Sequence, residues 1–193
     1  TDIHGAVEAY TRAIYFDKSS SVTYNNRAAA HIINQDYDDA IDDCNSSLLL
    51  NNNLKAHCRK AQALGHMNEF EDALESVERA LKLNPEDKEA ISVKDSLLRE
   101  QADFSDFMEA NIVKIKGNSL LEKQDFRGAI TAYTKAIALS KSRQYVIFNN
   151  RAVAYLMCNE HVLAIEDCDK SLVLKKNVKA YCRKAQALRK LNA

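Results

Sequence analysis

One long internal repeat constrains the fold of this 193-residue chain more than any other feature. Residues 24–64 and 148–188 align without a gap at a constant offset of 124, with 22 identities in 41 positions. A shorter period of 33 to 35 residues runs through and between these segments. Periods of this length are typical of stacked supersecondary units, each of which packs mainly on its neighbours.

Within each unit the apolar residues follow the spacing of an amphipathic helix. The segment that begins at Phe126 places apolar residues at 126, 129, 130, 133, 136 and 137, and the segment that begins at Tyr37 repeats the pattern. One proline and four glycines leave few helix breakers. The polar breaks "NQD", "NNN", "KQD" and "KKN" supply turns. The sequence therefore predicts a helix-turn-helix unit that repeats roughly five times.

Eleven helices are predicted, with small residues at recurring positions where two helices must approach closely. The predicted helices are 2–16, 22–34, 37–50, 54–67, 69–83, 86–102, 105–123, 125–140, 145–157, 160–174 and 178–191. The small residues are Ala28, Ala61, Gly117, Ala152 and Ala185 in the first helix of each unit, and Ala6, Ala40, Ala73, Ala129 and Ala164 in the second.

The charge balance argues against two classes of partner. The chain carries 27 basic and 27 acidic residues, so no general positive field attracts nucleic acid or an anionic membrane. No apolar run approaches the roughly 20 residues that span a bilayer. No secretory signal is visible in this stretch. We expect a cytoplasmic protein. Selectivity for an anionic partner must then come from a local cluster.

The cysteines and histidines do not predict a metal or cofactor site. Five cysteines lie inside helical patterns and none forms a C-x-x-C pair, so we expect small buried thiols in a reducing cytosol. The five histidines are scattered, whereas zinc needs about four clustered ligands.

Residues 54–85, "LKAHCRKAQALGHMNEFEDALESVERALKLNP", resemble a tetratricopeptide repeat, with Ala61, Ala73, Ala80 and Pro85 at the signature positions of the motif. The resemblance covers nearly the whole chain. It implies an all-α tetratricopeptide superhelix (an α-solenoid) with two tandem three-repeat modules that are truncated at both ends. Module one is expected at 1–103, without its first helix and with 86–102 as a capping helix. Module two is expected at 104–193, without its last helices.

Five hydrogen-bond donors in the predicted first helices of module two form the candidate site. Lys114 and Asn118, and likewise Lys179 and Arg183, are four residues apart and share a helix face, and Asn150 completes the set. Three cations and two amides suit a doubly anionic group such as an aspartate at the C-terminus of another chain.

These five residues match, one by one, the carboxylate clamp of chaperone-binding tetratricopeptide domains. The resemblance implies that Lys114, Asn118 and Asn150 hold the main-chain carboxylate, while Lys179 and Arg183 hold the side chain of the terminal Asp. It also implies the ligands, the C-terminal Glu-Glu-Val-Asp tails of cytosolic Hsp70 and Hsp90.

Module one keeps three clamp positions, Asn26, Lys55 and Arg59, and its leading helix would lie before residue 1. Both modules depart from the family in one respect. Clamp domains usually place thirteen residues from the aspartate of the "D-C" pair to the clamp lysine, but Asp43 to Lys55 and Asp167 to Lys179 span twelve. The contraction could rotate the clamp lysine and arginine in the groove.

Three functions remain open at this stage. The first is a co-chaperone adaptor that holds chaperone tails near a client or assembly factor. The second is a scaffold that binds internal peptide segments without a free carboxylate. The third is an enzyme outside this stretch, since no nucleophile–base pair is visible within it. Beside the site, we expect Arg27 and Arg151 to form structural ion pairs, and Tyr10 and Tyr133 to pack in the core.

Overall fold

The computed structural model describes residues 2–140 and 144–191, and every regular element in these ranges is an α-helix, which confirms the all-α prediction. The helices are α1 (Ile3–Phe16), α2 (Ser21–Asn34), α3 (Tyr37–Leu50), α4 (Leu54–His66), α5 (Phe70–Leu83), α6 (Lys88–Glu122), α7 (Phe126–Leu139), α8 (Gln144–Met157), α9 (His161–Leu174) and α10 (Val178–Leu191). None of them is long and apolar enough to cross a membrane within the described ranges.

Helix α6 corrects one prediction. The sequence analysis placed two helices at 86–102 and 105–123, whereas the structure has one helix of 35 residues from Lys88 to Glu122. Between Pro85 and Gly117 the chain has neither proline nor glycine, so nothing in that stretch ends a helix. The remaining helices begin and end within two residues of their predicted bounds.

Contacts between residues divide the chain into two compact units, 1–102 and 103–193. In the first unit, consecutive helices from α1 to α5 pack on one another, and α2 also contacts α4. In the second unit, α7 to α10 pack in the same consecutive way, and α8 contacts α10. The direct contacts between first helices (α2 with α4, α8 with α10) bring Asn26 near the helix of Lys55 and Arg59, and Asn150 near the helix of Lys179 and Arg183. That these units are the two tandem modules remains a prediction.

Alanines at the crossing points let the helices approach closely. Seven of the ten predicted small positions are alanines that are fully buried: Ala28, Ala40, Ala61, Ala73, Ala129, Ala152 and Ala164. Ala6 is half-buried and Ala185 is exposed. The cores between the helices are correspondingly thin, with few large side chains. In the first unit Phe70, Val77 and Leu97 fill the space that the alanines leave, and in the second unit Tyr133 and Ile147 do so.

The turn after each of four helices contains one residue in the left-handed conformation: Gln35, Asn68, Gln124 and Asn159, with φ between 60° and 67°. The NH groups that follow the helix end then bond back to its last carbonyls, as Asp36 N does to His31 O at 2.9 Å and Asp125 N does to Leu120 O at 2.9 Å. The same turn therefore ends α2, α4, α6 and α8.

Substitution of Gly117 by alanine should destabilise the second unit by up to about 2 kcal/mol, because overpacking costs about 1–3 kcal/mol. A Cβ at Gly117 would lie 2.6 Å from Cε1 of Tyr133, a fully buried ring. The gain in helix propensity of about 1 kcal/mol only partly offsets this clash. Urea unfolding of both proteins measures the difference. In a Tyr133→Leu background the same substitution should cost less, and an equal cost would show that the ring is not the obstacle.

The thiols fall into two groups. Cys44, Cys58 and Cys168 are buried as predicted, but Cys158 is half-buried and Cys182 is exposed. Burial raises the pKa of the Cys44 and Cys58 thiols to about 12 and that of Cys168 to about 11. Cys58 and Cys182 are equivalent in the repeat. In the first unit α5 and α6 cover this face of α4.

Exposure predicts which thiols react in the folded protein. At pH 8 a disulfide reagent should modify Cys182 within minutes and Cys158 more slowly. The three buried thiols should react only after denaturant is added, because burial disfavours the nucleophilic thiolate. A Cys182→Ser variant should lose the fast phase alone. A fast phase that survives in Cys182→Ser would contradict the assignment.

Candidate functional site

Two buried ion pairs fix the helices that carry the site. Arg151 of α8 donates from Nε and Nη2 to the two carboxylate oxygens of Asp167 of α9, at 2.7 and 2.8 Å. Arg27 and Asp43 repeat this arrangement between α2 and α3, at 2.8 and 2.7 Å. The predicted structural role of both arginines is therefore confirmed. Their charges are neutralised within the protein and are not available to a ligand.

The amide groups of two predicted site residues meet directly. Asn118 of α6 and Asn150 of α8 are both half-buried, and Asn150 Nδ2 donates to Asn118 Oδ1 at 3.1 Å. The buried Tyr133 hydroxyl donates to the same oxygen at 2.7 Å. Since the carbonyl oxygen of Asn118 already has two donors, its NH₂ group is the part that remains for another acceptor.

Arg183 of α10 reaches back to the backbone beside Asn150. Its Nη1 donates to the carbonyl oxygen of Asn149 at 2.9 Å. Arg59 of α4 makes the equivalent bond to Asn25, at 2.7 Å. Burial lowers the pKa of the Arg183 guanidinium, because half-buried positions disfavour charge. None of the described carboxylates forms an ion pair with Arg183, whereas Arg151 is paired with Asp167.

The two lysines differ in their surroundings. Lys114 of α6 is half-buried and donates from Nζ to Asn111 Oδ1 at 2.7 Å. It lines a groove of about 230 Å³ together with Phe107, Asn111 and Tyr145. Lys179, in the first turn of α10, is exposed. Among the described acidic residues none pairs with either lysine, so both amines keep donor capacity for a ligand.

The three candidate residues of the first unit line a single groove. Asn26, Lys55 and Arg59 enclose a volume of about 310 Å³ together with the walls of α2 and the turn before α4. Asn53 caps α4 by accepting a bond from Ala56 N at 2.9 Å, and its Nδ2 donates to Ser47 Oγ at 3.2 Å. The groove is rich in amides and cations, and no acidic residue lines it.

The shortened spacing before the clamp lysine has not moved the arginine away from the preceding first helix. Lys55 and Lys179 lie in the first turns of α4 and α10, and both arginines still bond to a backbone carbonyl of α2 or α8. Donors from three helices of the second unit (α6, α8 and α10) therefore belong to one hydrogen-bonded neighbourhood, which can take an anionic acceptor.

Some contributors were not assigned from sequence. Tyr133 was predicted as core packing, which its burial confirms, but its hydroxyl also orients Asn118. The carbonyls of Asn25 and Asn149 hold the arginines, and Asn111 holds Lys114. The "NN" pair that occurs in both copies of the repeat marked these positions in the sequence. Residue type does not show, however, that its first backbone carbonyl binds an arginine.

Paired helices that repeat along the chain, with hydrogen-bond donors on the first helices, define a helical-repeat class of protein. Models of the tetratricopeptide repeat match residues 54–87 and 116–181, together about half of the chain. The chain belongs to the tetratricopeptide repeat family, as the sequence resemblance indicated. Family membership also agrees with the prediction that this stretch is not an enzyme, since the repeat is a protein-interaction unit.

Two curated relatives match along almost the entire chain. The heat shock protein sti1 homolog of Schizosaccharomyces pombe is 32% identical over 197 residues, which cover 95% of this chain and 33% of the relative. The Hsp70-Hsp90 organizing protein of Triticum aestivum is 28% identical over 202 residues, which cover 95% of this chain and 34% of the relative. The chain thus spans about a third of the length of these relatives.

Among solved structures, the second tetratricopeptide domain of human RPAP3, in complex with an HSP70 peptide, is 30% identical. The match covers 47% of this chain and 77% of that one, with a TM-score of 0.46. The TPR2AB domain of yeast Sti1, in complex with an HSP90 peptide, is 22% identical and covers 98% of this chain and 78% of that one, also with a TM-score of 0.46.

Proposed function

We propose that this chain is a co-chaperone adaptor whose second unit binds the C-terminal Glu-Glu-Val-Asp tails of Hsp70 or Hsp90 through a carboxylate clamp. In this proposal Lys114, Asn118 and Asn150 hold the main-chain carboxylate, and Lys179 and Arg183 hold the side chain of the terminal Asp. The groove of Asn26, Lys55 and Arg59 in the first unit supplies a second, partial site.

The observation that carries the proposal is the half-buried Arg183. Its guanidinium donates to the neutral carbonyl of Asn149, next in sequence to Asn150, which in turn bonds to Asn118. Among the described residues it has no carboxylate partner. Holding a cation partly out of water costs free energy. Arg151, equally embedded, recovers that cost from Asp167. A ligand carboxylate would compensate Arg183 in the same way, with the charge-assisted bonds that guanidinium groups favour.

The Triticum aestivum relative supports the choice of ligand, since its name links it to Hsp70 and Hsp90. The ligands are cytosolic chaperones, so the proposal places the protein in the cytoplasm. Two linked grooves allow a second engagement at raised effective concentration, which would suit an adaptor that holds a chaperone near a client or an assembly factor.

Amidation of the ligand's C-terminus tests the proposal. A short peptide that ends in Glu-Glu-Val-Asp should bind the 193-residue chain with micromolar affinity, about −8 kcal/mol, in calorimetry. The same peptide with a C-terminal amide should bind at least tenfold more weakly, because the clamp loses one anionic acceptor. Equal affinity for both peptides would favour a scaffold that binds internal segments, and the clamp would be rejected.

A further inference from the structure

One group of potential metal ligands lies outside the proposed clamp, at the turn from α2 to α3. His31 stands in the last turn of α2, Asp36 precedes α3 and Asp39 lies in its first turn. One nitrogen of His31 and one oxygen from each carboxylate all lie within 4.8 Å of one another. Within the described ranges, no other set of three or more His, Cys, Asp or Glu side chains brings its ligand atoms this close together.

The imidazole of His31 is buried and one of its nitrogens has no hydrogen-bond partner. Residue 31 is 9% exposed, and its Nδ1 is buried without a partner. The distance from Nδ1 to Asp36 Oδ2 is 3.6 Å, which is too long for a hydrogen bond. Two ligands of one cation with metal–ligand bonds of about 2.1 Å would have this 3.6 Å separation at an angle of roughly 118°.

The surroundings orient this imidazole for a cation. Its Nε2 faces Asp43 Oδ2 at 3.9 Å. A carboxylate behind a histidine is the usual outer partner of a metal-bound imidazole. Asp43 is itself held by Arg27 at 2.7 and 2.8 Å, so this partner is fixed.

Asp36 directs its carboxylate toward His31. It occupies the N-cap position of α3 but makes no side-chain capping bond, unlike Asp2 and Asp125 before α1 and α7. Its Oδ2 accepts from Asn34 Nδ2 at 2.5 Å.

We propose that His31, Asp36 and Asp39 bind a first-row divalent cation such as Mn²⁺ or Zn²⁺. One imidazole and two carboxylates are a ligand set that such cations accept, with water at the remaining positions. The second unit offers an internal comparison, because Tyr155, Glu160 and Leu163 occupy the equivalent positions. The site therefore belongs to the first unit and would tie α2 to α3 there, and it does not depend on the proposed clamp.

This inference departs from the expectation of no metal site. That expectation rested on the scatter of histidines along the sequence. The left-handed Gln35 reverses the chain and brings position 31 next to 36 and 39. Spacing in sequence does not reveal that proximity, and it does not reveal that the second imidazole nitrogen faces Asp43.

Titration of the 193-residue chain with Mn²⁺, followed by the electron paramagnetic resonance signal of the free ion, tests the site. Mn²⁺ is the chosen probe because it prefers carboxylate and imidazole to the exposed thiol of Cys182. We expect one saturable site per chain. Asp39→Asn should weaken binding at least tenfold, whereas Asp38→Asn, an equal charge change at the next exposed carboxylate, should change it less than twofold.

A His31→Tyr variant, which copies the second unit, should also lose the site. Since that position is buried, circular dichroism must first show that the variant folds. If it does not fold, the exposed Asp39 and Asp38 pair still decides the question. The proposal is overturned if Mn²⁺ does not saturate a site, or if the Asp39→Asn and Asp38→Asn variants bind it equally.

Discussion

Replacement of Asp167 by asparagine should lower the free energy of unfolding by about 3 kcal/mol or more, the typical cost of removing one partner from a buried ion pair. The Asp167 side chain is 2% exposed and the Arg151 side chain 11%, so in the variant the unpaired charge of Arg151 stays out of water. Asparagine still offers one acceptor, but it leaves the charge of Arg151 uncompensated. Urea or guanidinium unfolding, followed by helical circular dichroism, measures the loss.

A neighbouring pair provides the control. Glu166 and Lys170 are one turn apart on the same helix at 4.0 Å, and both side chains are more than half exposed. Glu166→Gln should therefore change the free energy of unfolding by less than about 0.5 kcal/mol, as expected for a surface pair. If Asp167→Asn and Glu166→Gln cost the same, the buried pair does not stabilise the frame of the site.

Much of the fold could be predicted because the signals are local and repeated. Alanines at fixed positions predicted the crossings, and the "NQD"-type breaks predicted the turns. The doubled arginine and aspartate predicted the ion pairs. The predicted break between 102 and 105 was wrong, because the stretch between Pro85 and Gly117 has no helix breaker and the helix continues through it.

The candidate site could be predicted by residue type but not by contact. Register and spacing selected Asn118, Asn150 and Arg183, and the structure joins the first two directly and places the third on the backbone beside them. The roles of Tyr133 and of the Asn149 carbonyl depend on side-chain reach and backbone position, which a single sequence does not record. The exposure of Cys182 was missed for the same reason, because burial depends on which helices cover a face.

Arg183→Ala should weaken binding of the Glu-Glu-Val-Asp peptide about 30-fold or more, a loss on the order of 2 kcal/mol. The substitution removes the cation that compensates the ligand carboxylate, and that carboxylate is then desolvated without its partner. Affinity should also fall as salt is added, because the Debye length is about 8 Å at physiological ionic strength and the exposed Lys179 is screened.

Lys190→Ala is the matched control for that loss. Lys190 lies on the same helix, is exposed, and is outside the proposed clamp. Its removal changes the net charge by the same amount, so a purely long-range electrostatic effect would weaken binding similarly in both variants. Calorimetry should instead show a change of less than threefold for Lys190→Ala. Equal losses in the two variants would contradict the assignment of Arg183.

A double-mutant cycle across the interface tests the central claim most directly. Calorimetry would measure the wild-type chain and Arg183→Ala, each against a peptide that ends in Asp and one that ends in Asn with a free C-terminus. If Arg183 holds the terminal side chain, the two changes share one interaction, and their combined loss should be smaller than the sum by about 1 kcal/mol or more. Strictly additive losses would show that Arg183 does not contact that carboxylate.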